Sequence, residues 1–384
     1  MNDTSQPIIV RPPGKRPLRE RLLTAVFQGI RAGTSRLQRR PTLPMDPCRI
    51  LLIKPCCLGD VLWTTPTIAA LRARYPSSIV HYAVSAYAAP AILGHPLVDR
   101  VITYDRKAQL LRHMWAGRYD LCLVLERSPL FTILPLLAGV PVRAGIDSSG
   151  RGFALNVRAP WDESLHEADL YLTVAGALGC PTKDQHLYFE PGEAATQAIA
   201  TLWQQQQLRD PVIVIAPGGG SNPGMDLPEK RWLLERFAAL ADRLHAEYNA
   251  TIVLLGGPGD QALCTAMQTA MHTPALNLSG SAPFAERGAL LRRCRLFIGN
   301  DSGPTHLAVA VRCPVVALFG PTDVGLYGPY RAQARTVRQF LPCSPCFVHG
   351  HFPPCPNNHR CMRDLTIDAV YAACQNLLRS EQRV

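Results

Sequence analysis

The sequence has no apolar run long enough to cross a bilayer: the best, Leu130 to Val142, is short and broken by Pro135 and Pro141, whereas a span needs about 18 residues. A membrane-spanning helix is therefore not expected. Charged residues are scarce at 18% and aromatics at 7%, but hydrophobic residues make up 47%, a globular rather than a disordered balance. The G-x-x-x-x-G-K-[ST] spacing of a Walker loop is absent, and the first glycine-bearing loop lacks G-x-G-x-x-G, which removes the usual signatures of P-loop and nicotinamide enzymes. Nor is there an Asp-x-Asp pair. Leu22 to Ile30 imitates a signal-peptide core, but Gln28 interrupts it, arginines resume at Arg31 and no small-residue cleavage site follows, so export is not expected.

What is present is a chain of 384 residues, enough for two or three domains each with its own core. Its net charge of +11 is unevenly placed: residues 1–41 hold nine Lys and Arg against Asp3 and Glu20, and the rest carries only +4. A basic arm on a nearly neutral body points to an anionic surface, membrane or nucleic acid. Within it Leu18, Leu22, Val26, Ile30 and Leu37 recur at roughly helical spacing, as in an amphipathic helix lying on a membrane. Gly29, Gly33, Thr34 and Ser35 weaken that helix and leave a disordered basic tail as the alternative. Pro41, Pro44 and Pro47 mark a linker. Thirteen cysteines, an odd number with Cys122, Cys294 and Cys313 in apolar runs, suit reduced thiols in a cytoplasm.

From residue 50, short apolar runs alternate with longer amphipathic stretches. Ile50 to Lys54, Ile79 to Val84, Arg100 to Tyr104 and Leu121 to Leu125 read as strands, with helices over Val61 to Arg74 and on to Ala138. Helical stretches over His166 to Leu178 and Glu193 to Gln207 precede a second series of strands, Val212 to Ala216, Thr251 to Leu255, Leu296 to Gly299 and Val315 to Phe319, again with helices between. This grammar predicts α/β architecture: two doubly wound, mostly parallel, Rossmann-like sheets, with a boundary near residues 190–210. Ligands of such sheets bind beyond the carboxyl ends of the strands, so the strand-to-helix loops should carry the chemistry.

Three loops stand out. In Lys54-Pro-Cys-Cys-Leu-Gly-Asp60 the aspartate stands at a helix start, either as an N-cap or as a general base for an acceptor hydroxyl. In Ala216-Pro-Gly218-Gly219-Gly220-Ser221, consecutive glycines either make a plain turn or expose N–H groups that cradle phosphate, with Lys230 as a compact positive charge. In Gly299-Asn-Asp301-Ser302-Gly303-Pro-Thr305-His306 a helix opens with Pro in its first turn, an anion site in which a diphosphate would fit beside Ser302, Gly303, Thr305 and His306. Asp301 would repel phosphate and suits a sugar hydroxyl; His306 reads equally as a helix-surface residue.

Taken in order, Ile50-Leu-Leu-Ile-Lys, Gly59-Asp-Val-Leu62, Thr65-Pro66, the glycine loop with Lys230-Arg-Trp232, Gly299 to His306 and Phe319-Gly-Pro-Thr322 resemble the bacterial ADP-heptose:lipopolysaccharide heptosyltransferases, glycosyltransferase family 9, over residues 48 to 375. The resemblance implies a GT-B fold, two Rossmann-like domains facing a cleft. It divides the chain into a basic arm (1–45), an acceptor-binding domain (46–205), a nucleotide-sugar-binding domain (206–340) and a Cys-rich segment with a C-terminal helix (341–384). It further implies that Asp60 is the base, that Lys230 and the loops around Ser221 and Ser302-Gly303 hold the diphosphate, and that Asp301 and His306 contact the donor. Cys56-Cys57 departs from the small or polar residues frequent at that point of the family, and the long segment from Gly218 to Pro228 resembles less-studied members.

Cys343, Cys346, Cys355 and Cys361 follow a C-x2-C-x8-C-x5-C spacing, with His349, His351 and His359 interspersed. That spacing suits a structural zinc or iron site, with reduced thiols or disulfides as alternatives; similar Cys-rich tails occur in related family members. Arg127, Arg143 and Arg151 lie near first-domain loops, either as solvated arginines or as cations for an acidic acceptor.

The expected function is inverting transfer, with no cofactor or metal required, of a heptose or similar sugar from a nucleotide diphosphate, ADP-heptose above all, to a hydroxyl of a lipopolysaccharide core-type acceptor. The partners are then the nucleotide-sugar donor, a lipid-linked acidic glycan and, through the arm, the anionic cytoplasmic face of the inner membrane, with no nucleic acid. The alternatives are a heptosyltransferase acting on protein Ser or Thr, and a sugar-nucleotide epimerase or binding protein of the same fold.

Overall fold

The computed structural model describes residues 18–37, 46–222, 225–347 and 352–380. The rest of the basic arm, residues 1–17 and 38–45, lies outside the described residues, as do His349 and His351. The chain divides into two compact units that meet in sequence at Glu190 and Pro191.

The first unit holds α1 (Leu18–Leu37), β1 (Arg49–Ile53), α2 (Leu58–Trp63), α3 (Thr65–Arg74), β2 (Ile79–Ser85), β3 (Arg100–Tyr104), α4 (Lys107–Gly117), β4 (Leu121–Val124), α5 (Pro129–Leu137), β5 (Val142–Asp147), β6 (Val157–Pro160) and α6 (Glu167–Gly176). Its six strands are all parallel, in the order β3-β2-β1-β4-β5-β6. Central β1 and β4 are buried on both faces, which is why they read as unbroken apolar runs. The helix expected over Val61 to Arg74 is instead two helices. Pro66 has no N–H to give Leu62, and the hydroxyl of Thr65 takes that carbonyl at 2.7 Å, while Thr64 does the same for Val61 at 2.7 Å.

Helix α1 docks on this unit. Phe27 stacks on Phe153 with centroids 6.1 Å apart, Arg31 pairs with Asp147 at 2.9 Å, and the Thr34 hydroxyl donates to the Phe153 carbonyl at 3.2 Å. Its other side leaves Leu22, Leu23, Val26 and Ile30 exposed.

The second unit repeats the plan with α7 (Glu193–Gln205), β7 (Val212–Ala216), the hairpin β8 (Ser221–Asn222) and β9 (Met225–Asp226), α8 (Leu234–Tyr248), β10 (Thr251–Leu254), α9 (Gln261–Ala270), β11 (Ala275–Asn277), α10 (Phe284–Arg293), β12 (Leu296–Asn300), α11 (Gly303–Ala310), β13 (Val315–Phe319), α12 (Val324–Tyr327), β14 (Ala334–Arg338), α13 (Arg360–Arg363) and α14 (Ile367–Ser380). Its parallel order, β11-β10-β7-β12-β13-β14, is the Rossmann order of the first sheet.

Two expected boundaries move. The break falls before α7, not after residue 205, because α7 packs on α10, with the Arg293 guanidinium 4.1 Å from the Trp203 ring. Residues 341–384 are also not a separate appendage: Leu341, Cys361, Met362, Val370, Tyr371, Cys374 and Leu377 share one core with Ile213, Leu254 and Ile298 of the second sheet.

Candidate active site

In each sheet the connections leave in opposite directions from the two central strands, and in such sheets ligands bind beyond the carboxyl ends of those strands. In the first unit those strands are β1 and β4. The loop after β1 supplies Lys54 and leads to Asp60; the loop after β4 supplies Glu126. Lys54 is buried, with Nζ 3.1 Å from Asp60 Oδ2, 3.4 Å from Glu126 Oε2 and 5.2 Å from the centre of the Tyr171 ring. Burial opposes its charge, but Tyr171, Asp60, Glu126 and Glu167 together push its pKa well above 10.5, so it stays an ammonium.

Glu126 answers it. Burial pushes its carboxyl up, but Lys54, the Arg127 N–H (2.9 Å) and the Arg127 charge more than offset this and hold it below its ordinary value; the Ser128 N–H also donates to it at 3.3 Å. Arg127 stacks its guanidinium 4.1 Å from the Trp161 ring and meets Glu167 at 3.2 Å. Glu167 is raised by burial in spite of Arg127 and Lys54. Asp60 lies in the first turn of α2, but Cys57 holds the N-cap position, so the capping alternative does not apply. Its carboxylate is 36% exposed, the accessible acid of this cluster beside a fixed cation.

In the second unit the corresponding strands are β7 and β12. The side chain of Asn300 is fully buried and ties the two loops: it accepts from the Trp232 N–H at 3.0 Å and donates to the carbonyls of Pro217 and Gly218, both at 2.9 Å. Gly219 has φ +107° and a Cβ there would stand 2.5 Å from that of Ser302, so close approach of the loops requires glycine. Its N–H donates to Asp260 at 3.2 Å and is thus already engaged, unlike the phosphate donor expected from the glycine run. Gly218 lies against the same carboxylate, Gly220 has φ +79° ahead of the hairpin, and the side chain of Ser221 lies outside the described set.

Lys230 reaches Asp301 at 2.7 Å, and His306 Nε2 lies 3.8 Å from the other oxygen of that carboxylate; all three are largely buried. This Lys-Asp-His group stands at the mouth of α11, whose first amide is Gly303. Ser302 and Thr305 differ from their expected role as donor ligands, since both hydroxyls donate to the Asn300 carbonyl, at 3.1 and 2.6 Å, and brace the loop.

Of the three arginines assigned to the acceptor, Arg143 is the clear correction. It is 8% exposed, and its guanidinium donates to the carbonyls of Ala154, Val140 and Pro141, so it serves the fold. Arg127 sits on the Asp60 cluster, and Arg151 lies in the turn on which α1 docks, its carbonyl accepting from Thr132 at 3.0 Å. The sequence reading gave no role to Lys54, Glu126, Glu167 or Tyr171; the Leu125-Glu126-Arg127 run straight after a strand was the available signal.

Cys343, Cys346, Cys355 and Cys361 line one cavity with Asn357 and His359. Asn357 donates to the sulfur of Cys343 at 3.2 Å and the His359 N–H to that of Cys355 at 3.3 Å. Burial, reinforced by the neighbouring thiols, pushes Cys346 up to about 11 and Cys361 up to about 12. Among the described residues no three potential ligands are already closed into a metal set.

The first cluster predicts a pH signature. Glu126, held below 4.5, adds stability that is full above that value and lost as pH falls through its folded pKa; Lys54, raised above 10.5, adds stability below that value, lost as pH rises through its folded pKa. Lys54→Met leaves Glu126 buried without its counter-charge, costing about 3 kcal/mol at neutral pH. The gain in melting temperature between about pH 4 and pH 7 shrinks in this variant. Parallel wild-type and variant profiles across that range contradict this assignment.

Residues 107–354 match the family described as glycosyltransferase family 9 (heptosyltransferase). Lipopolysaccharide heptosyltransferase 2 of Escherichia coli K12 is 26% identical over 321 residues, covering 76% of this chain and 88% of that protein. Among solved structures, the family 9 glycosyl transferase of Veillonella parvula superposes with a TM-score of 0.75 at 26% identity, over 88% of this chain and 99% of that one. The ADP-heptose lps heptosyltransferase II of E. coli gives 0.71 at 26% identity, over 87% and 99%. With two Rossmann sheets of the GT-B class and the match over most of its length, the chain is a glycosyltransferase and belongs to family 9, the heptosyltransferase family.

Proposed function

We propose that this enzyme moves a heptose from ADP-heptose to a hydroxyl of a lipopolysaccharide core-type acceptor with inversion, and that Asp60 is the general base. The observation that carries the reading is the half-exposed Asp60 carboxylate fixed against buried Lys54 at the crevice of the first sheet. Asp60 takes the acceptor proton as the oxygen attacks the anomeric carbon, and the nucleotide diphosphate departs from the opposite face. Lys230 and the Gly303 amide at the start of α11 meet the charge that grows on the leaving diphosphate, a task that needs no divalent ion. Asp301 holds Lys230 ready and, with His306, faces the donor sugar. Arg127, stacked on Trp161 and 39% exposed, is the cation of this cluster left for an acidic acceptor. The names of the relatives, lipopolysaccharide heptosyltransferases 2 and 3, support the choice of donor and acceptor.

The exposed line Leu22, Leu23, Val26 and Ile30 on α1, beside an arm rich in arginine, fits an anionic membrane surface, the cytoplasmic leaflet that carries a lipid-linked acceptor. No described helix is long and apolar enough to cross it. The four cysteines of the cavity suit a structural zinc or iron: soft thiolates are the preferred donors, and N–H groups of Asn357 and His359 reach the sulfurs of Cys343 and Cys355 as outer-shell partners. Such a metal would brace the segment 343–361 and takes no part in transfer.

Three measurements follow from this reading. Asp60→Ala lowers kcat of transfer from ADP-heptose to lipid A–core about a thousandfold while donor binding by calorimetry is kept; an active variant removes Asp60 as the base. Val26→Asp with Ile30→Asp weakens flotation with phosphatidylglycerol vesicles but not the transfer of heptose to a soluble core oligosaccharide, and undiminished flotation excludes α1 as the contact. Elemental analysis finds zinc or iron bound in the wild type and lost in Cys346→Ser and Cys361→Ser, with a lower melting temperature; metal-free wild-type protein of unchanged stability on adding either ion rejects the site.

A further inference from the structure

Cys56 and Cys57 lie on the loop between β1 and α2, both partly exposed, directly before the helix that presents Asp60. The two thiols hydrogen-bond to one another. That bond, reinforced by the Lys54 ammonium, draws the Cys56 thiol below its ordinary value against the effect of burial, while the Cys57 thiol, as the donor, is pushed up. The hydroxyl of Tyr104, a residue 6% exposed, is buried without a hydrogen-bond partner among the described residues and close enough to feel charge on Cys56. Asp60, Lys54 and Glu126 act on the same sulfur. The other close thiol pair, Cys294 and Cys313 at 3.3 Å, is buried on both sides and shut to reagents.

We propose that Cys56 and Cys57 form a vicinal dithiol site for trivalent arsenic and similar soft, thiophilic centres, and that its occupant stands against Asp60 and stops transfer. With phenylarsine oxide as the probe, two As–S bonds form, the arsenic–oxygen bond breaks, and the oxygen leaves as water with both thiol protons. Arsenic stays trivalent, so no oxidant or reductant is needed. Two sulfurs on adjacent residues hold the centre as a chelate, which a competing monothiol displaces poorly and a dithiol displaces well.

The test uses the full chain treated with phenylarsine oxide and digested with trypsin, the Lys54–Pro55 bond being resistant, so that both cysteines fall in the peptide 50–72. One bridging phenylarsine is expected on that peptide, released by dimercaptopropanol but not by mercaptoethanol, and absent from both Cys56→Ser and Cys57→Ser. An unmodified 50–72 peptide, label confined to residues 343–361, or label that persists in either variant overturns the site. The inhibition, unlike the adduct, rests on Asp60 being the base. Loading the peptide is expected to cut transfer about tenfold or more and dimercaptopropanol to restore it. A full adduct with undiminished transfer overturns the blocking role, whereas an active Asp60→Ala variant would defeat the functional reading and leave the dithiol chemistry standing.

Discussion

Each half of this enzyme depends on a polar group buried where its sheet divides. In the first domain it is the Lys54 ammonium, which has lost its water and is kept charged by the carboxylates drawn around it. An unpaired buried charge costs several kcal/mol, so the loops that bring Asp60 and Glu126 to it are held together by the need to compensate it. In the second domain the tie is neutral: Asn300 joins the glycine loop, the turn that carries Lys230 and the first turn of α11. Asp60 in the first domain and the Lys230-Asp301 pair in the second stand on these ties.

Much of this was legible in the sequence because the strands that flank the crevices are buried on both faces and read as continuous apolar runs, with their loops directly behind them. Asp60, Lys230 and Asp301 could be found in that way. Glu126 had only its place straight behind a strand to mark it and Glu167 and Tyr171 nothing, since only the β1–β4 pairing carries Glu126 to Lys54, 72 residues away. Edge strand β14 was missed because half its side chains face solvent, and β5 because Arg143 and Gly145 interrupt its pattern. Arg143 itself shows the limit of reading charge as exposure: an arginine can be buried when neighbouring carbonyls, here those of Ala154, Val140 and Pro141, accept from its guanidinium.

The glycines and hydroxyls of the second domain teach a related lesson. Gly219 and Thr305 belong to two separate motifs whose sequences suggest phosphate binding, yet their polar groups are taken by the protein itself, through Asp260 and the Asn300 carbonyl. A motif marks a place where the backbone must pack closely. Which of its groups remain for a ligand depends on the internal bonds, and the proposed donor contacts are accordingly Lys230 and the Gly303 amide rather than the glycine run.

The share that α14 takes in the second core bears on the order in which the chain can mature. The first unit has all its strands once residue 160 has been made and is complete at Glu190, after α6 has supplied Glu167 and Tyr171 to Lys54. The second cannot bury Ile213, Leu254 and Ile298 fully until Val370, Tyr371, Cys374 and Leu377 have emerged, some 150 residues after its first strand. During synthesis the half that carries Asp60 can therefore be native while the half that carries Lys230 still exposes apolar strands, and it is the latter that stands to gain from a chaperone.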